Sequence, residues 1–150
     1  MTRAGIVLLT NDGIAAIERV RDGMTYHTLP GGQVESGESP AEAARREAYE
    51  ELGVMVKIRG LVAVVHFGLR TQRYFLAEHI GGEFGTGDGP EMGSSAESEL
   101  GSYRAVWLPV GDLVGRELKP KPIAAALHGA PDPEWMLDGW LESAVVFEEV

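Results

Sequence analysis

The 150-residue sequence has no cysteine, which excludes disulfide bonds, thiol nucleophiles and thiolate metal sites. It is also short of positive charge: 13 Lys and Arg stand against 23 Asp and Glu, for a formal net charge of −10. That balance argues against DNA, RNA or an anionic membrane as partner, because phosphate contacts need clustered Lys and Arg. An anionic substrate would need a bound cation to be attracted at all. Long apolar runs are missing too, and none approaches the roughly 18–20 residues that cross a bilayer. The opening MTRAGIVLLTNDG is not read as a signal peptide, since its apolar run is only Ala4 to Leu9. The expectation is one domain over residues 1–150, cytoplasmic, with no repeat and no internal boundary.

What is present is concentrated in residues 31–54, GGQVESGESPAEAARREAYEELGV. Ser39 stands three residues before Glu42 with Pro40 between, a capping box with proline in the first helical position, so a helix should start at Pro40. Leu52 is its last good helix former, and Gly53 can take the left-handed conformation that closes it. At about 100° per residue, Glu47, Glu50 and Glu51 share one arc, and Ala41, Ala44, Ala48 and Leu52 fill the neighbouring one. Like charges at three- and four-residue spacing cost roughly 0.2–0.5 kcal/mol per pair. Arg46 reaches Glu42 and Glu50 but cannot neutralise three acids. A divalent metal answers the charge, because hard cations such as magnesium take carboxylate oxygens.

The pattern runs further than spacing. Counting from Gly32, Glu38 stands six residues on, and then Arg46, Glu47, Ala48, Glu50, Glu51, Gly53 and Val54. This resembles the signature of the Nudix hydrolase family at every charged and glycine position; Ala48 is smaller than the aliphatic residue usual there. The resemblance implies an α/β fold, an α/β/α sandwich with a central mixed sheet. It also implies a magnesium-dependent enzyme, manganese being the alternative ion, that hydrolyses a nucleoside diphosphate linked to another group. Glu47, Glu50 and Glu51 would be metal ligands with the Gly32 carbonyl, Glu47 alternatively the base, and Arg46 the residue that orients them. Glu38 would touch metal through water or brace the loop. A catalytically silent nucleotide-binding or regulatory domain is the rival, and it predicts lost acids where all three stand.

The rest of the chain reads as strands and short helices. Residues 3–9 and 14–20 flank Asn11-Asp12-Gly13 and suggest a hairpin, and Tyr26 to Leu29 a short strand stopped by Pro30. Residues 54–66, broken by Gly60, and 73–80 read as paired antiparallel strands. Residues 81–102, with seven glycines, read as a loop long enough to be functional. Tyr103 to Pro109 is a strand, 110–113 a short helical piece, 123–128 a helix, and Asp132-Pro133-Glu134 caps another; the tail from Ala144 is left open. Trp107, Trp135 and Trp140 look like packing residues.

Family members often draw a further carboxylate from a distant loop, and Glu91 and Glu97 are the candidates here. His27, Arg70, Arg73 and Tyr74, with Tyr26, are candidates to stack on a base or hold phosphate. A small-molecule nucleotide is the expected partner, by elimination a nucleoside triphosphate; a homodimer stays open.

Overall fold

The computed structural model describes residues 2–89 and 101–149. The apolar run near the start divides at Leu8 into β1 (Thr2–Val7) and β2 (Leu9–Thr10). Only β2 makes the expected hairpin, pairing Leu9 and Thr10 with Ile14 and Gly13 at the start of β3 (Gly13–Arg21). β1 instead joins another sheet, antiparallel to β5 (Gly31–Gln33) and parallel to β7 (Arg70–Gly82). Residues 4–7 are all buried, and a strand buried on both faces belongs inside a covered sheet and not in an exposed ribbon.

That first sheet is mixed. β7 pairs antiparallel with β6 (Val54–Phe67), which Gly60 bends without interrupting, and β6 pairs in parallel with β10 (Val145–Glu149), the open tail. The second sheet contains β2, β3, β4 (Met24–Thr28) and β9 (Leu118–Lys119), with β8 (Ser102–Leu108) also on β3. The start of β8 and the 3-10 turn at Val110–Asp112 agree with the sequence reading.

Among the described residues three helices cover these sheets: α1 (Pro40–Leu52), α2 (Lys121–Gly129), which starts two residues earlier than expected, and α3 (Pro133–Glu142). The capping box of α1 forms in both directions, Glu42 N–H to Ser39 Oγ and Ser39 N–H to Glu42 Oε1, each at 3.1 Å. Gly53 closes the helix at φ +79°. α3 is capped by Asp132, which accepts the Trp135 N–H at 3.1 Å. Alternate residues of β1 and β3 feed opposite cores. Ile6, Ala15 and Ile17 pack toward Ala43, Ala44, Ala48 and Leu52 of α1, while Val7, Ile14 and Ala16 pack toward Ile123, Leu127 and Leu137 of α2 and α3. This period of two puts the strands between two helical layers, the α/β/α arrangement expected. Trp107 stacks on Phe84 at 4.4 Å and Trp140 meets Phe147 edge-on. Trp135, by contrast, is 76% exposed, so it is not a packing residue.

Candidate active site

The alanine stripe decides where the acids go. Ala43, Ala44 and Ala48 have no exposed surface, and their small side chains let α1 sit close on β1 and β5. The neighbouring acidic stripe is thereby laid along the glycine pair of β5. Glu51 Oε1 accepts the Gly31 N–H at 2.7 Å. Glu47 lies so close to Gly32 that a Cβ there would stand 2.6 Å from its Cδ. Gly32 is required by this approach, because any side chain there would occupy the carboxylate's place.

Arg46 ties the acids together. Its Nε donates to Glu38 Oε2 at 2.8 Å, and Nη1 to Glu47 Oε1 at 2.9 Å and Glu50 Oε2 at 3.1 Å. Nη2 donates to Glu38 Oε1 and to the Gln33 carbonyl, both at 3.1 Å. Glu42, expected within reach of Arg46, serves the capping box instead. Glu38 also accepts the Glu35 N–H at 3.0 Å, so it braces the loop between β5 and α1. The Arg46 guanidinium, and then the Glu35 N–H, hold the Glu38 carboxyl below its ordinary 4.5. Hydrogen bonding to Glu38, with lesser help from Glu47, holds Arg46 above its ordinary range.

Glu47 and Glu51 line a cleft of about 1080 Å³. Glu50 is absent from its wall and faces the Arg46 side of the cluster. Hard carboxylate oxygens beside a glycine pair are the donor set a divalent cation takes. Among the described residues no group of three or more acidic or histidine side chains is arranged to hold a metal ion, so Glu47, Glu50 and Glu51 do not converge as the expected ligand set.

The cleft's other walls come from both sheets. β1 and β7 supply Arg3, Arg70, Gln72 and Tyr74; β3, β4 and β8 supply Arg19, Tyr26 and Tyr103; Lys119 ends β9 and Lys121 opens α2. Tyr74 donates to Gln72 Oε1 at 2.9 Å, and burial raises its hydroxyl above the ordinary tyrosine range. Arg19 Nη1 donates to the Tyr26 hydroxyl at 2.7 Å, and its guanidinium lies 4.8 Å from the centre of the Tyr103 ring. Lys119 Nζ lies 4.8 Å from the centre of the Tyr26 ring.

Two expected substrate residues are corrected by strand alternation, since neighbouring side chains point to opposite faces. Tyr26 and Thr28 face the cleft, so His27 between them turns away. It is 2% exposed, donates from Nδ1 to the Arg116 carbonyl at 2.7 Å and meets Glu18 from Nε2 at 3.2 Å. Likewise Arg70, Gln72 and Tyr74 line the cleft while Arg73 does not. Arg3, Arg19, Lys119 and Lys121 were not singled out from sequence. For Arg19, its place two residues after cleft-lining Ile17 on one strand face was the available signal. Glu91 and Glu97 lie outside the described residues.

The NUDIX domain family model matches residues 1–128. The chain belongs to the NUDIX domain family. Among solved structures, the Nudix fold is shared with an ADP-ribose pyrophosphatase from Streptococcus suis at a TM-score of 0.64 and 19% identity, covering 99% of this chain and 98% of that one. It is shared with a MutT protein from Bacillus halodurans at 0.63 and 18% identity, covering 99% and 90%. A relative described as an ADP-ribose pyrophosphatase from Methanocaldococcus jannaschii is 41% identical over 66 residues, which is 40% of this chain and 39% of that protein. Nudix hydrolases generally use divalent metal ions, in keeping with the oxygen donors of Glu47 and Glu51. Among the described residues no helix is long and apolar enough to cross a membrane.

Proposed function

We propose that this Nudix protein is a magnesium-dependent pyrophosphohydrolase that cleaves the diphosphate linkage of a nucleoside diphosphate joined to another group, with a nucleoside triphosphate as the leading substrate. The observation that carries the reading is the placing of the Glu47 and Glu51 carboxylates on Gly31 and Gly32, at the edge of a cleft lined by cations. Glu47 and Glu51 would hold magnesium, or manganese, together with the Gly32 carbonyl; Glu50 would join them by turning from Arg46. When bound, the ion supplies neutralisation of the diphosphate oxygens and a more acidic water.

The chain's own residues do the rest. Water adds to phosphorus, the bridging P–O bond breaks, and the leaving phosphate departs with the bridging oxygen. Glu47, if it does not ligate the ion, would take the water's proton, with Glu91 and Glu97 as the loop alternatives. Arg46 fixes the acids' orientation through charge-assisted hydrogen bonds. Arg70 and Tyr74 stand where they can contact the substrate. The reading takes residues 1–150 as one cytoplasmic domain acting on a small molecule, and the net charge of −10 supports excluding nucleic acid and membrane. A homodimer is compatible with it and not required.

The test is hydrolysis of nucleoside triphosphates, nucleotide sugars, ADP-ribose and dinucleoside polyphosphates with and without magnesium. Release of phosphate, pyrophosphate or a nucleoside monophosphate only with magnesium is the expected result. No hydrolysis across the panel would leave the silent-domain reading standing.

A further inference from the structure

Among the described residues, five cations line the cleft, Arg3, Arg19, Arg70, Lys119 and Lys121, in a chain with only 13 basic residues and a net charge of −10. Among the described residues, Arg21, Arg46, Arg59 and Arg104 each pair with a carboxylate, and none of the five cleft cations does. The same cleft also carries the carboxylates of Glu35, Glu47, Glu51 and Glu149. Arg19 and Lys119 instead stand over tyrosine rings, and Arg19 Nε is buried without a hydrogen-bond partner. Pro120, before Lys121, offers no side-chain cap to α2, whereas α1 and α3 carry Ser39 and Asp132. The partial positive charge of that helix start adds to the two lysines.

A divalent ion held by Glu47 and Glu51 would draw the scissile diphosphate to that side of the cleft, leaving the cations of the sheet wall around Arg19 and Lys119 for a further anionic group. We propose that Arg19, Lys119 and Lys121 form a subsite for a third phosphate, so that the cleft selects substrates with a phosphoryl group beyond the scissile diphosphate over those that end in an uncharged sugar. This rests on the hydrolase reading above and sharpens it: Tyr26 and Tyr103 position the cations, and the cations read the substrate's charge.

ATP and ADP-ribose share the adenosine and the diphosphate and differ only in the group attached beyond them, so they isolate the third phosphate. The experiment measures magnesium-supported kcat/KM for both, in wild type and in Arg19→Met, Lys119→Met and Lys121→Met. Binding of inorganic triphosphate without metal is measured by calorimetry in the same proteins. The expected result is a fall of about tenfold or more in the ATP to ADP-ribose ratio for Arg19→Met and Lys119→Met, with triphosphate binding weakened in step. Methionine keeps an unbranched stem beside the tyrosines, and the two lysines are exposed, so they carry the test if Arg19→Met unfolds. An equal loss on both substrates, or triphosphate binding indifferent to all three changes, overturns the subsite. If the wild type hydrolyses neither nucleotide while triphosphate binding still responds, the hydrolase reading fails and the phosphate subsite stands.

Discussion

Adding one methyl group at Gly32 separates catalytic placement from folding. A Cβ there would meet Glu47 Oε1 first, with Cδ at 2.6 Å and Oε2 at 3.0 Å, where ordinary contact begins at 3.4 Å, so the carboxylate has to retreat by roughly 1 Å. Only the far end of a flexible side chain obstructs, so Gly32→Ala should fold with a melting temperature close to that of the wild type. Activity is another matter, because misplacing a catalytic group by about 1 Å can cost on the order of a hundredfold. Gly31→Ala is the control next door. Its Cβ would meet backbone, the Ala4 carbonyl oxygen at 2.5 Å and Gly5 Cα at 2.7 Å, and overpacking against a sheet that cannot yield costs about 1–3 kcal/mol. The assay pairs magnesium-dependent kcat with thermal melting for both variants. A Gly32→Ala protein retaining kcat within about threefold of wild type, with unchanged melting, would show that Glu47 does not work from this position and would refute the placement.

Glu51→Gln, folded by circular dichroism, should lose magnesium-dependent hydrolysis by at least about a hundredfold; near wild-type turnover would remove the acidic pair from the mechanism. Arg46→Met leaves the Glu38, Glu47 and Glu50 carboxylates facing one another without their shared cation, and should lower stability by about 2 kcal/mol in urea unfolding, with magnesium restoring part of the loss. Because the Glu38 carboxyl is held below 4.5 in the fold, its contribution is present above that pH and lost as pH falls below it. Glu38→Gln should therefore flatten the acid limb of stability below about pH 4.5. His27→Phe keeps the ring's bulk but removes the hydrogen bond to the Arg116 carbonyl, at about 0.5–1.5 kcal/mol; an unchanged melting curve would show that this bond contributes nothing.

The limits and face of the catalytic helix were legible in residues 39–53 because caps, a terminal glycine and a 3.6-residue period are local effects. The pairing of β6 with β7 was legible for the same reason, as β-branched runs separated by a turn. The first hairpin was misjudged because the partner of Thr2–Val7 lies more than sixty residues away in β7, where no local pattern points. Which residues of β4 and β7 enter the cleft depended on the phase of each alternation. Tyr26 and Thr28 on one face and His27 on the other look alike until the helix has chosen its side.

The amino-acid order alone determined that Glu47, Glu50, Glu51 and Arg46 would share a helix beside an alanine stripe, and that two glycines would precede it. Only the assembled fold decided that the alanines press on β1 and β5, carrying Glu47 and Glu51 onto those glycines and leaving Glu50 with Arg46. Tertiary structure likewise gathered Arg3, Arg19, Arg70 and Lys119 from four separate strands into one wall. The physical reason is range: backbone hydrogen bonds and side-chain spacing act over a few residues, whereas a cleft is made by apolar burial between segments that the sequence keeps far apart.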